Sequence, residues 1–390
     1  MLVSKDGRSE YSIGDIFRSY GQSYELSHPM SPEQRQVMHD ISMCRTAYLG
    51  GHLEQCEGCG YERPVYNSCG NVSCPMCQGI RRRRWLNERL AELLPVSYFH
   101  CIFTLPHEIN DLASYNQRLI YNLLFRSAAD TLLKLSKKYH DAVPAIIATL
   151  HTWGQNLSRH PHVHILVTSG GLKEDGSWHY GHSNYLFDVF EMSAEFKKIF
   201  LRGLRRLHKK GELQKDENFD KLYKKMADKE WVIHCKKPFA GAEKVVEYLS
   251  RYVYRSAIAN SRIQKVDDSG IEFDYKDYRD TDEQDIARHK TMKLEPKEFL
   301  RRFLQHVLPK GFRRCRFYGI FAGGCRKENL AKCRHIFNIK NTAEAGQEKE
   351  EQEKEKCPKC GCCSFFRQSE ICRERPPPIT FHYFAERRHA

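Results

Sequence analysis

A run of residues from Arg159 to Val167 places two histidines in a hydrophobic segment typical of a β-strand. Side chains alternate between the two faces of a strand, so His162 and His164 point to the same side with Val163 between them. Burying both imidazoles without partners would cost ~1–3 kcal/mol for each unsatisfied nitrogen. The pattern therefore predicts a divalent-metal site that needs one or two further ligands.

The missing ligand must come from a neighbouring strand or loop. Gln155, in the predicted turn before the histidine strand, is the first candidate, although it could instead make a turn hydrogen bond. Asn156 and His100 are weaker candidates, and His160 could contact substrate or cap the strand. Isolated histidines are usually structural, which is the expectation for His100, His107, His151 and His234.

A predicted helix over 241–257 carries two further reactive side chains, Tyr248 and Tyr252, one turn apart. At about 100° per residue the two hydroxyls lie about 40° apart, between an apolar stripe and a basic edge where a phosphate could lie. The basic edge consists of Lys244, Arg251 and Arg255. Tyrosines at such boundaries are common without a reaction, but the histidine strand favours their interpretation as nucleophiles.

The clearest cysteine pattern is a pair of CxxC knuckles, Cys56-Glu-Gly-Cys59 and Cys74-Pro-Met-Cys77. Two thiolates from each knuckle would complete a tetrahedral site with no open position, which is typical of a structural zinc ribbon. Further residues could replace a ligand or join a second site, although packing roles are favoured for them: Cys44, His52 and Cys69. The C-terminal pair Cys357 and Cys360 has no obvious partner pair, so a second zinc site there stays open.

Charge and cysteine usage limit the class of protein. The net charge of +14 and a pI near 9.0 indicate a polyanionic partner. No apolar run is long enough for a membrane span and the N-terminus has no signal-peptide core, so we expect a soluble intracellular protein with reduced cysteines. A basic run after the second knuckle could contact DNA phosphates or simply begin a solvated helix: Arg81, Arg82, Arg83 and Arg84.

Strand and helix patterns alternate irregularly, which predicts an α+β fold around a mainly antiparallel sheet flanked by helices. We expect a helical, zinc-binding and DNA-binding domain over 1–95, a catalytic domain over 96–322, and a linker with a cysteine-rich tail over 323–390. The Glu/Lys/Gln tract at 344–356 has almost no apolar residues and is predicted to be a solvated linker.

Several motifs, in order, resemble the two-tyrosine HUH (His–hydrophobic–His) rolling-circle transposases of the bacterial insertion sequence 91 family. The matching segments are Cys44–His52, Tyr66–Cys69, Cys74–Gln78, Phe99–Glu108, Trp153–Asn156, His160–His164, Tyr248–Tyr252 and His306–Phe312. Asn71-Val-Ser73 departs from the Arg and His that members often carry there, which puts a ligand role for Ser73 in doubt. The tail from about 323 matches poorly.

The resemblance implies an HUH-type sheet and a cytoplasmic, nucleoid-associated enzyme that cleaves one DNA strand at the ends of the element. It implies that His162 and His164 hold Mg²⁺ or Mn²⁺, and that Tyr248 or Tyr252 attacks to give a 5′-phosphotyrosine. No nucleotide cofactor is expected, since the sequence has no phosphate-binding Gly-x4-Gly-Lys-Ser/Thr loop. The alternatives are a plasmid replication initiator or relaxase with the same chemistry, and a non-catalytic zinc-dependent DNA-binding regulator.

Overall fold

The computed structural model describes residues 11–236, 244, 253, 256–281, 287–339 and 356–373. In these ranges the chain is an α+β protein with antiparallel sheets flanked by helices, which confirms the predicted class. The N-terminal region is helical and contains a cysteine cluster, also as predicted.

The described helices are α1 (Ile13–Ser27), α2 (Pro32–Met43), α3 (Gln78–Leu90), α4 (Asn110–Tyr115), α5 (Gln117–His140), α6 (Val189–Lys209), α7 (Phe219–Asp228), α8 (Pro296–Leu304) and α9 (Arg326–Ile336). The described strands are β1 (Gly51–Cys56), β2 (Glu62–Tyr66), β3 (Tyr98–Thr104), β4 (Ala145–Trp153), β5 (Arg159–Thr168), β6 (Gly171–Leu172), β7 (Trp178–His179), β8 (Ile233–Lys236), β9 (Ile263–Asp267), β10 (Gly270–Thr281), β11 (Ala287–Leu294), β12 (Cys315–Gly319) and β13 (Phe365–Ile371).

The chain forms two compact units, each discontinuous in sequence. Unit 1 comprises 1–79, 255–307 and 347–390, and unit 2 comprises 80–254 and 308–346. Pairing between distant segments makes unit 1 discontinuous: the C-terminal strand β13 lies beside β1, and helix α8 packs against α1. The three domains expected from the sequence, 1–95, 96–322 and 323–390, stay a prediction.

In unit 1, the two capped helices α1 and α2 pack against each other, and α1 also packs against α8. Ser31 caps α2 and Pro32 occupies its first turn, as predicted, because the Ser31 hydroxyl accepts the Gln34 N–H and the Gln34 side chain accepts the Ser31 N–H. The buried rings of Phe17 and Phe303 meet edge-on at 5.2 Å. Two three-stranded sheets, β13-β1-β2 and β11-β10-β9, complete the described part of this unit.

Unit 2 is built on a five-stranded sheet in the order β12-β4-β5-β3-β8, with every neighbouring pair antiparallel. One face is apolar and packs on α5 and α6, and its core includes Phe103, Val163 and Ile165. The opposite face carries the histidines of β5. Farther along that face, Leu166 and Ile147 pack with Trp85 of α3 in a second apolar cluster.

Candidate functional site

The predicted histidine strand is β5, and its two neighbours add further imidazoles to the same face. His162 lies opposite His151 of β4 and Thr104 of β3. Residues directly opposite each other in an antiparallel pair point to the same side of the sheet. His151 is therefore beside the predicted pair, and His100 of β3, which pairs with Leu166, is on this face too.

The ring nitrogens of this face are close together. His162 Nε2 lies 3.1 Å from His164 Nε2, and His164 Nδ1 lies 3.0 Å from His100 Nε2. The rings of His151 and His164 meet edge-on at 4.6 Å. One nitrogen from each of His151, His162 and His164 lies within 4.8 Å of the other two. We call these three residues the histidine cluster.

Hydrogen bonds orient the two β5 imidazoles for coordination. His162 Nδ1 lies 2.7 Å from the His160 carbonyl oxygen, which can only accept, so Nδ1 donates and Nε2 keeps its lone pair. If His164 Nδ1–H donates to His100 Nε2, the Nε2 lone pairs of His162 and His164 face each other. Two nitrogens at ~2.1 Å from one ion and at right angles would be about 3.0 Å apart, which matches the observed separation. The residues present therefore fit a divalent ion.

Burial favours the neutral form of three imidazoles on this face, His100, His160 and His162. It lowers the pKa of His162 to about 3, with the nearby His160 as a smaller cause, and the pKa of His100 to about 4. It also lowers the pKa of His160. A protonated imidazole has no lone pair for a metal, so the lowered pKa of His162 keeps this ligand candidate able to bind metal below pH 6.

The structure adds one ligand candidate and leaves another as a prediction. His151, expected to be structural, lies in the histidine cluster and is therefore a further ligand candidate. The signal that could have found it is the alternation of β4, which puts Thr149, His151 and Trp153 on one side of the strand. Gln155 lies half-buried in the turn between β4 and β5 and stays a prediction as a further ligand.

The predicted nucleophiles, Tyr248 and Tyr252, lie outside the described residues, as do Arg251 and Arg255 of the basic edge. Four residues of the predicted helix over 241–257 are described: Lys244, Val253, Ser256 and Ala257, of which the last two are not helical. Lys244 is helical and exposed. Val253 is helical and buried, and it packs in the apolar cluster that contains Leu166, two residues beyond His164 on the same side of β5.

The cysteine ligands are grouped differently from the prediction. Cys74 and Cys77 lie with Cys44 and Cys69, and three measured Sγ–Sγ separations in this first cysteine cluster are 3.5, 3.5 and 3.6 Å. Four sulfurs at ~2.3 Å from one tetrahedral ion would lie about 3.8 Å apart, so the cluster fits zinc after slight expansion. Cys44 and Cys69, for which packing was favoured, are thus ligand candidates.

The other predicted knuckle, Cys56 and Cys59, lies with Cys357 and Cys360 instead. The single site of Cys56, Cys59, Cys74 and Cys77 is therefore corrected to two separate clusters. The reason is that β13 pairs with β1 and carries its own knuckle to the end of that strand.

The basic run after the first cysteine cluster lies on α3. Arg83 and Arg84 are exposed, Arg82 is half-buried, and Trp85 is buried in the apolar cluster of unit 2. The side chain of Arg81 lies outside the described residues. Within the described ranges, no helix is both long enough and apolar enough to cross a bilayer.

The family models and the relatives that match this chain are all described as transposases. A family model described as "Transposase zinc-binding domain" matches residues 16–105, and one described as "Putative transposase" matches residues 145–329. The first therefore covers the first cysteine cluster and Cys56 and Cys59, and the second covers the three residues of the histidine cluster.

Two relatives match over most of the chain. A protein of Sinorhizobium fredii (strain NBRC 101917 / NGR234) named "Putative transposase y4qJ" is 41% identical over 345 residues, which are 85% of this chain and 85% of the relative. The "Transposase for insertion sequence element IS801" of Pseudomonas savastanoi pv. phaseolicola is 30% identical over 300 residues, 74% of this chain and 70% of the relative. No solved structure matches the chain.

Proposed function

Because the chain belongs to the insertion sequence 91 family of transposases, we propose that it cuts and rejoins single-stranded DNA at the ends of an insertion sequence. The proposed reaction is attack by Tyr248 or Tyr252 on a scissile phosphate, with a 5′-phosphotyrosine intermediate, in rolling-circle transposition. The observation that carries this proposal is the histidine cluster, whose three imidazoles converge within 4.8 Å on one face of the sheet.

The cluster would hold the catalytic Mg²⁺ or Mn²⁺ through His151, His162 and His164. Imidazole is a better ligand for Mn²⁺ than for Mg²⁺, which prefers oxygen, so Mn²⁺ is the favoured ion unless Gln155 or water supplies oxygens. When bound, the ion would polarise the scissile phosphate and neutralise charge on the pentavalent phosphorus. The zinc-binding domain would hold structural Zn²⁺ in the first cysteine cluster, whose four sulfurs leave no open position for catalysis.

Val253 supports the placement of the nucleophile. Tyr252 is the residue next to Val253 in the sequence. Val253 shares an apolar cluster with Leu166, and Leu166 is two residues from His164, about 7 Å along β5. We therefore propose that a tyrosine of this helix reaches a phosphate held at the histidine cluster.

The two tyrosines would divide the reaction. A phenol with an ordinary pKa of about 10 is a weak nucleophile at pH 7 and must lose its proton as it attacks phosphorus. The leaving DNA oxygen becomes a free 3′-hydroxyl, and the phosphate ester on tyrosine conserves the bond energy. Attack by a 3′-hydroxyl on that ester then rejoins a strand and restores the phenol. The second tyrosine can make the second cut while the first holds a DNA end.

Basic residues would hold the DNA backbone. On α3, the exposed Arg83 and Arg84 could contact phosphates, and we assign Arg81 and Arg82 to the same surface. The helical, exposed Lys244 would do so beside the nucleophiles, together with Arg251 and Arg255. A transposase acts on DNA, and the net charge of +14 suits that polyanion.

The test is a covalent-adduct assay. The protein is incubated with a single-stranded oligonucleotide from an element end and Mn²⁺, and the adduct is detected in denaturant. We expect Tyr248→Phe combined with Tyr252→Phe to abolish the adduct. The matched control is Tyr254→Phe, since its predicted position is about 240° around the helix from Tyr248. Cleavage by the double variant would refute the assignment.

A second variant separates chemistry from binding. His162→Ala removes one imidazole of the cluster and should abolish the adduct while oligonucleotide affinity stays within about twofold. If wild-type protein binds DNA but forms no adduct with either ion, the protein is a non-catalytic DNA-binding regulator. If it forms adducts only with the origin of a plasmid, it is a replication initiator or relaxase.

A further inference from the structure

The second cysteine cluster joins segments from opposite ends of the sequence. Cys56 Sγ lies 3.6 Å from Cys360 Sγ, and Cys59 Sγ lies 3.6 Å from Cys357 Sγ. All four sulfurs lie within 4.8 Å of one another. These separations are near the about 3.8 Å between sulfurs bound to one zinc ion, and far longer than the ~2.05 Å of a disulfide.

The two knuckles have the same local geometry. Each reads Cys-x-x-Cys-Gly, and the glycine after the second cysteine adopts a left-handed conformation, with φ of +69° at Gly60 and +76° at Gly361. Gly60 N–H donates to the Cys56 carbonyl at 2.9 Å, and Gly361 N–H donates to the Cys357 carbonyl at 2.8 Å. The repeated turn directs both sulfurs of each knuckle to one point.

The knuckles also fit against each other closely. A Cβ on Gly58, between the two N-terminal cysteines, would lie 3.1 Å from Cys362 Cβ and 3.4 Å from Cys360 Sγ. Any side chain there would press on the C-terminal knuckle. The absence of a side chain at Gly58 therefore allows the close approach that shared ligation requires.

Pairing between strands β1 and β13 places the C-terminal segment beside the N-terminal knuckle. β13 pairs antiparallel with β1 from Gly51–Ile371 to Cys56–Phe365. The Glu57 N–H donates to the Ser364 carbonyl at 3.1 Å, and the Arg63 guanidinium lies 4.0 Å from the centre of the Phe365 ring. The sulfur cluster is thus the end of a continuous interface within unit 1.

From these contacts we infer that Cys56, Cys59, Cys357 and Cys360 bind a second structural Zn²⁺, separate from that of the first cysteine cluster. This zinc fastens residues 356–373 to the N-terminal zinc-binding domain. Neither matched family model reaches this segment, since the two end at residues 105 and 329. A metal ion bound by residues so distant in sequence closes a very long loop. Metal binding therefore stabilises the folded arrangement of the C-terminal segment against local unfolding.

Zinc content tests the inference without DNA or catalysis. We expect Cys357→Ser combined with Cys360→Ser to lose one zinc per chain relative to wild type, measured by mass spectrometry of the metal after gel filtration. The matched control is Cys363→Ser combined with Cys372→Ser, two exposed cysteines of the same segment, which should keep the wild-type content. Equal zinc in the two double variants would overturn the second site.

Wild-type protein provides a measurement that does not depend on how a variant folds. Reconstituted with cadmium-113, the full chain should give two NMR resonances in the region of tetrathiolate coordination. Only one such resonance would overturn the inference.

The fastening role has its own experiment. A specific protease site is introduced at 347–352, inside the Glu/Lys/Gln tract, and the purified protein is cut. We expect the C-terminal fragment to co-elute with the body in wild type and in the Cys363→Ser, Cys372→Ser control. It should separate in the Cys357→Ser, Cys360→Ser variant while the body keeps the zinc of the first cluster. Co-elution in that variant would contradict the fastening role.

Discussion

Replacing His100 by Phe tests whether hydrogen bonding behind the histidine cluster prepares it for metal. His100 Nε2 lies 3.0 Å from His164 Nδ1, and the two rings are nearly parallel, with centroids 5.2 Å apart. Phenylalanine keeps a flat ring at this buried position but removes the nitrogen that fixes the orientation of His164. The substitution therefore isolates the hydrogen bond from packing.

The expected size of the effect follows from the buried hydrogen bond. Removing one partner of a buried polar pair costs about 1–3 kcal/mol. Since 1.36 kcal/mol corresponds to a factor of ten, Mn²⁺ affinity should fall about 5- to 160-fold. The affinity is measured by electron paramagnetic resonance of free Mn²⁺. If His100 positions a ligand without being one, adduct formation should fall at low Mn²⁺ and recover at saturating Mn²⁺.

A stacked histidine pair elsewhere in unit 2 provides the control. His140 and His179 stack at 4.6 Å, outside the histidine cluster, and His179→Phe also replaces one ring of a pair by phenylalanine. That variant should retain wild-type Mn²⁺ affinity. If His100→Phe binds Mn²⁺ as tightly as wild type, or if its adduct does not recover at any Mn²⁺ concentration, the positioning role is refuted.

Three further outcomes are expected. The pKa of His100 is about 4 in the folded protein and about 6.5 when unfolded, so the unfolded state takes up the proton first as pH falls. The unfolding free energy of the metal-free protein should therefore fall between pH 6.5 and pH 4, by up to about 1.4 kcal/mol per pH unit. In urea titrations at several pH values, His100→Phe should show a smaller dependence on pH. Phe303→Ala should lower the unfolding free energy measured in urea by about 3–5 kcal/mol, because the ring is buried against Phe17. As a control, Phe190→Ala should change it by less than about 0.5 kcal/mol, because Phe190 is 84% exposed. The logarithm of the affinity for single-stranded DNA should fall linearly with the logarithm of the salt concentration. The double variant Arg83→Ala, Arg84→Ala should reduce the steepness of that line by about 1.4 if each arginine contacts one phosphate. An unchanged slope would exclude both contacts.

Local sequence patterns predicted the elements that carry the site. Strand β4 has the predicted bounds, 145–153, and β5 extends the predicted histidine strand by two residues at its start. Apolar and β-branched residues dominate both segments, so their local preference and their burial agree. By contrast, β13 was not predicted, because most of its side chains are exposed and it has no hydrophobic alternation.

The sequence alone determined that His162 and His164 share a face, since alternation is a property of any strand. It also determined that each CxxC pair can offer two sulfurs to one ion. The sequence could not determine which other side chains lie beside the two histidines or beside each cysteine pair. Trp153 pairs with Arg159, and that register, if continued, would set His151 opposite Pro161.

Only the tertiary structure decided these partnerships. A one-residue shift between His151 and Trp153 brings His151 opposite His162, and pairing of β13 with β1 brings Cys357 and Cys360 to Cys56 and Cys59. Strand register and long-range pairing depend on backbone hydrogen bonds between segments that do not adjoin in sequence. A shift of one residue reverses which face a side chain occupies, so ligand sets built across strands are fixed only when the sheet is formed.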